Sequence, residues 1–261
     1  MGHTTIRNLP SSKKWSQVVD LVKLGADASQ VANATITAAE RGLKLAGKDP
    51  GLIETVWLLT QLPAAARSGN FVDNLRKLGL DVGDSPGFMD IVGAFSDALD
   101  VGIAGRNGKT DLGEMAQMAA AETISYVVGD GLSDLFDVSP SDVQKEFRKL
   151  GTQGQTVRFA HQFFARLAQK TMDYFLSRAF VHHVGEGKRF ATLAQKAKFA
   201  KELEIHCTKA AKVVGDFTGK WIARIAREKG SVSRDDIGSF VQPAMEMLTA
   251  SLKEGTLSHG D

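Results

Sequence analysis

The residues best placed to do chemistry lie in GRNGKTDLGE, 105–114. Gly108-Lys109-Thr110 is the tail of a P-loop, in which glycine-rich backbone cradles phosphates and the lysine neutralises them. The full motif needs a glycine five places before Gly108, but that residue is Ile103, and Gly102 comes one place early. A P-loop also joins a buried strand to a helix. Here the preceding apolar residues, at 88, 91, 92, 95 and 99, keep helical spacing. The same stretch matches the second half of a calcium-binding EF-hand loop. With Glu114 at the bidentate last position, Asn107, Gly108 and Asp111 fall on three further positions of that loop. Its two leading ligand positions become Ile103 and Gly105, which carry no side-chain oxygen. Calcium takes about 6–8 oxygens, so two main donors are missing. Asn107, Asp111 and Glu114 are therefore weak metal candidates. The better reading is a glycine-rich turn, with Asp111 capping the next helix and Glu114 completing a capping box. No cofactor is expected.

The remaining ligand-type residues are scattered. There are six histidines, His3, His161, His182, His183, His206 and His259, and one cysteine, Cys207. Glu202 and His206 stand four apart on one helix face, beside Cys207. His183 belongs next to a hairpin turn expected near 185–189. His206 follows that turn by about 17–19 residues, roughly 26–28 Å of helix, which no single ion spans. An intersubunit half-site at His206 and Cys207 is the remaining metal arrangement; otherwise Cys207 is a small core residue. Asp235 and Asp236 follow Ser233 and read as helix-start residues rather than a catalytic pair. Gly-x-Ser-x-Gly, His-Glu-x-x-His, Cys-x-x-Cys and dinucleotide-binding glycine patterns are missing.

The elements around these residues are helical nearly throughout, without strand-like alternation. Start and stop signals predict helices from Ser11 or Ser12 to about 24, from Asp27 or Ser29 to about 46, and from Asp49-Pro50 onward, with a kink or division at Pro63. Further helices are expected at 71–78, 87–100, 112–128 and 141–149, then two long ones at 155–184 and 190–229, and a last at 235–253. LVKLG, LRKLG and FRKLG, ending at Gly25, Gly79 and Gly151, read as three similar stops, each with a glycine free to take positive φ. The fold class expected is all-α: an N-terminal helical array over 1–138, its second half acidic, then a long antiparallel hairpin and a final helix over 139–261.

Apolar residues at 43% and charged residues at 24% place the chain in the ordinary globular range. One cysteine allows no intramolecular disulfide and fits a reducing compartment such as the cytoplasm. No run reaches the roughly 18–20 apolar residues of a membrane span, and the first residues carry neither a secretory signal nor a myristoylation motif. The net charge of +2 hides strong segregation. Residues 71–140 carry 4 Lys/Arg against 12 Asp/Glu, while 141–229 carry 18 against 8. The two halves would attract each other within the fold or between subunits, or the basic one would meet an external anion.

The segment 193–227 carries most of that basic charge. Leu193, Ala197, Ala200, Leu203, Cys207, Ala210, Val214, Phe217, Trp221 and Ile225 form one apolar stripe. Lys198, Lys201, Lys209, Lys212, Lys220, Arg224 and Arg227 fall opposite, partly neutralised by Glu202 and Asp216. This face is solvated, or meets nucleic-acid phosphates, or meets an acidic protein surface. It has no interleaved aromatics for base stacking. The preceding helix carries Phe159, Phe163, Phe164, Tyr174, Phe175 and Phe180, more than one stripe holds, so burial on two sides is expected and an exposed remainder would mark an interface. The leading expectation is a non-catalytic cytoplasmic interaction protein, a subunit or adaptor bound to a protein partner or to its own copies. A nucleic-acid-binding module is the first alternative and an enzyme of unrecognised type the second.

Overall fold

The computed structural model describes residues 13–104, 109–132, 138–180 and 183–254. They are all-α, with ten α-helices, no strand, and one isolated bridge between Val184 and Phe190. The helices are α1 (Lys13–Leu24), α2 (Ala28–Ala46), α3 (Pro50–Ala66), α4 (Phe71–Lys77), α5 (Phe88–Ala104), α6 (Asp111–Gly129), α7 (Pro140–Lys149), α8 (Gln153–Phe180), α9 (Leu193–Lys229) and α10 (Arg234–Glu254).

Local chemistry sets most of the starts. Asp27 and Gln30 exchange side chain-to-amide bonds in a reciprocal capping box. Asp49 and Ser139 accept from the amides of Leu52 and Asp142, each with proline at the first helical position. The serines expected to cap α1, Ser11 and Ser12, lie outside the described residues. Gly25 and Gly79 stop α1 and α4 at φ 85° and 89°, and the amide after each returns to the carbonyl of Leu21 or Leu75. Gly151 does not share this geometry. Its amide returns to Arg148, the chain turns straight into α8, and its missing Cβ leaves room for the Arg67 guanidinium.

Helix α3 lies at the centre and packs against α4, α5, α6, α7 and α10. Leu52, Val56, Leu58, Leu59, Leu62 and Ala66 are buried on one side, and Ile53, Trp57 and Thr60 on the other are half-buried, so the helix carries little polar surface. The break expected at Pro63 does not occur. Pro63 falls in the last turn and forfeits only the bond its amide would have made to the Leu59 carbonyl.

Helices α8 and α9 run antiparallel. Phe180 meets Phe199 at 5.5 Å near the turn, while at the far end Gly215 and Gly219 lie against His161 and Val157. Gly185 and Gly187, at φ 130° and 72°, make the turn. A Cβ on Gly215 would stand 2.8 Å from His161 Cβ and 3.0 Å from the Val157 carbonyl, so these glycines bring two backbones together. Helix α9 continues through them as a single 37-residue helix.

One packing expectation needs correction. Leu193, Ala197 and Ala200 are exposed, and Phe199 is the buried residue of that region. α8 ends at Phe180, opposite Phe199, so the first turn of α9 lies beyond the end of α8. From Leu203 on, the stripe packs inward, with Trp221 buried against Phe240 at 4.8 Å. The aromatic excess of α8 is taken up inside, as expected, and leaves no exposed remainder among the described residues. All five phenylalanines are buried and Tyr174 is half-buried, so they serve the core. That core runs across residue 138: Phe147 packs against both Phe71 and Phe88, and Arg234 reaches back to Glu54.

Candidate functional site

The seven cations of α9, Lys198, Lys201, Lys209, Lys212, Lys220, Arg224 and Arg227, are all exposed. Lys201 pairs with Glu204 one turn along the same helix at 2.9 Å. Among the described residues none of the seven pairs with the acidic stretch 71–137, and α9 packs on α8, α10 and α2 rather than on α4 to α6. The acidic stretch instead meets α8 and its own neighbours. Asp130 holds Arg158 at 3.0 Å, Glu122 holds Lys170 at 2.6 Å, Asp100 holds Lys109 at 2.7 Å, and Asp84 holds Arg76 at 2.7 Å. Part of the charge segregation is thus spent inside the fold, between α6 and α8, while among the described residues the α9 cations make no pair with the acidic stretch.

One feature of this face escaped the sequence reading. Ile205 and Val213 are 46% and 39% exposed. At 100° per residue they fall in the same arc as Lys209, Lys212 and Lys220. The signal was available as two aliphatic residues off the apolar stripe. The basic face is therefore a mixed surface with aliphatic contacts set among ammonium groups.

The metal candidates do not assemble. Asn107 lies outside the described residues. The cap of α6 is Thr110, whose hydroxyl accepts the Gly113 amide at 2.9 Å, so Asp111 is the first helical residue and Glu114 closes no capping box. Asp111 instead accepts from the Tyr174 hydroxyl at 2.7 Å, and Glu114 is exposed. Among the described residues no three His, Cys, Asp or Glu side chains gather in metal-binding geometry. His206 donates Nε2–H to the Leu252 carbonyl at 3.0 Å, and His161 bonds the Thr208 carbonyl at 2.7 Å. Cys207 is buried, and burial, followed by nearby Asp173 and Glu204, pushes its thiol up to about 12. It is a core residue and a poor nucleophile. His182 lies outside the described residues, and His183 is buried. Asp236 bonds Lys229 and the Ser233 hydroxyl and amide, closing the α9–α10 turn.

A second feature was hidden from sequence because four distant segments build it. A cleft of about 310 Å³ opens between α3, the start of α8, the end of α9 and the 230–232 turn. Phe159 and Phe163 are among its lining residues, with Leu59, Pro63, Ile222 and Val232 around them. Arg67 is the one charged residue in the lining among the described residues.

No protein-family model matches the chain, and no curated protein or solved structure matches it either.

Proposed function

We propose that this chain is a non-catalytic helical docking protein of the cytoplasm, whose α9 face takes an acidic, partly aliphatic surface of a protein partner. The observation that carries the reading is the exposed row of seven cations, unpaired with the acidic half among the described residues and interleaved with Ile205 and Val213. A merely solvated face gains nothing from aliphatic side chains, and phosphate recognition has no use for them without stacking aromatics. A protein surface uses both, because buried apolar contacts hold the complex and rim charges steer its formation. A second copy of the chain offers one such surface. Met89 and Val101 on α5 are 59% and 75% exposed, beside exposed Asp90 and Asp97.

The test uses the full chain, untagged and in its native cell extract, beside the variant Lys198→Glu/Lys209→Glu/Lys212→Glu/Arg227→Glu. The wild type should elute in an assembly larger than its 28.1 kDa mass at low salt, and the variant should not. Melting temperatures should agree, since isolated surface charges shift stability by only about 0.5 kcal/mol. Self-assembly of the pure protein, lost on Asp90→Lys/Asp97→Lys, identifies the partner as a second copy. Elution of both proteins as monomers, or salt-sensitive binding of generic nucleic acid that the reversals remove, refutes the reading.

A further inference from the structure

We propose that the cleft between α3, α8 and α9 binds a single-chain amphiphile with an anionic head, of the medium-chain carboxylate class. The cleft stays open because small residues occupy its mouth. Ala64, Ala223 and Ala226 are exposed toward it, where larger aliphatic side chains would close it. An apolar space of this kind, with few polar groups at its edge, is the usual form of a small-ligand site. At about 310 Å³ the cleft lies at the small end of the range of small-ligand pockets, a size that suits a single acyl chain.

Charge sets the class and the direction. Among the described residues no carboxylate lines the cleft, and Arg67 is the only charge in it. Its Nη2 donates to the Gly151 carbonyl at 2.5 Å, which fixes the guanidinium at one end, while Nη1 and Nε make no hydrogen bond among the described residues. The positive end of α8 opens at the same place, with Gln153 and Thr156 in the lining. The carbonyl end of α3 would oppose an anion there, but the Ala66 carbonyl is occupied by Gln144 Nε2 at 3.1 Å and Arg148 Nε at 3.0 Å. A carboxylate head therefore sits at Arg67, and the chain runs along Phe159, Phe163 and Ile222 toward Val232.

The experiment titrates decanoate, below its own aggregation range, onto the full chain by isothermal calorimetry, with decan-1-ol as the neutral probe. One saturable decanoate site is expected. Arg67→Gln should weaken decanoate about tenfold and leave decan-1-ol unchanged, because a charge-assisted bond to the head is lost. Ala226→Trp and, separately, Ala223→Phe should remove binding of both probes. Each places bulk at an exposed lining position, so helicity and melting temperature should stay at wild-type values. The proposal is overturned by the absence of saturable decanoate binding, by full binding in both filled variants, or by equal weakening of the two probes in Arg67→Gln. Lys198→Glu/Lys209→Glu/Lys212→Glu should bind decanoate like the wild type. Loss of binding there would place the probe on the basic face and overturn the cleft assignment, leaving the docking role of that face to its own test.

Discussion

Arg234 grips Glu54 through two hydrogen bonds, Nε to Oε2 at 2.8 Å and Nη2 to Oε1 at 2.7 Å, and its guanidinium lies 3.3 Å from the ring centre of Trp57. Glu54 is 4% exposed on the central helix, and Arg234 is the first residue of the last one. The pair ties the last helix to the central one. Arg234→Met removes two charge-assisted hydrogen bonds from a buried carboxylate. Arg234 is partly exposed, so water reaches the vacated site and the cost lies at the low end of the range for such breaks, about 3 kcal/mol. Urea unfolding measures it. Glu54→Leu added to Arg234→Met should recover most of the loss, because the buried charge is then gone. A double variant as unstable as the single would mean that the damage came from Trp57 losing its cover.

The start of α6 gives a second prediction. Thr110→Ala removes the hydroxyl that accepts the Gly113 amide and should lower stability by about 1 kcal/mol. Asp111→Ala and Tyr174→Phe remove two ends of one bond. Each should cost about 1 kcal/mol, and the double variant should cost less than their sum. Additive losses would show that the two residues act separately. Calcium should leave the melting temperature unchanged; a clear rise would make Asp111 and Glu114 ligands after all.

The contrast between Asp49 and Thr110 shows what the sequence carries. Asp49-Pro50 is legible because cap, proline and the Leu52 amide are neighbours, and no distant residue competes for the aspartate. Thr110 and Asp111 are both capping types. The choice between them is settled by Tyr174, 63 residues away, which draws Asp111 into another bond. Helix identity and the orientation of α9 from Leu203 onward follow from periodicity alone, whereas the first turns of α9 depend on where α8 ends. Gly151 repeats a local stop signal but answers to Arg67, 84 residues earlier. The cleft is the extreme case. No local pattern marks a space whose walls come from α3, α8, α9 and the turn before α10.

Asp236 links stability to pH. The bond from Lys229, then those from the Ser233 hydroxyl and amide, hold its carboxyl down to about 2. In the unfolded chain an aspartate titrates near 4, so folding favours the ionised form. Its contribution is fully present above about pH 4 and is lost as pH falls through 4 toward 2. Asp236→Asn removes the charge at every pH. The melting temperature of the wild type should exceed that of the variant by a constant margin from pH 7 to 5, and the margin should narrow between pH 4 and 2.5. A margin that stays constant down to pH 2.5 would show that the carboxyl is not specially held in the folded state.

Gly215 and Gly238 both lie inside long helices, yet alanine should act in opposite directions at the two sites. Alanine gains about 1 kcal/mol over glycine in an unhindered helix interior, through backbone entropy. Nothing lies within 4 Å of a Cβ built on Gly238, so Gly238→Ala should stabilise by about 0.5–1 kcal/mol. At Gly215 the new methyl meets His161 Cβ at 2.8 Å and the Val157 carbonyl at 3.0 Å. Neither atom can swing aside, since both are fixed by the α8 backbone. The helices must part locally, which also stretches the 2.7 Å bond from His161 to the Thr208 carbonyl. Overpacking of this kind costs about 1–3 kcal/mol and outweighs the entropic gain. Urea unfolding of both variants measures the two signs, and an unchanged slope keeps the comparison two-state. Stabilisation by Gly215→Ala would mean that α8 and α9 are not held in backbone contact there.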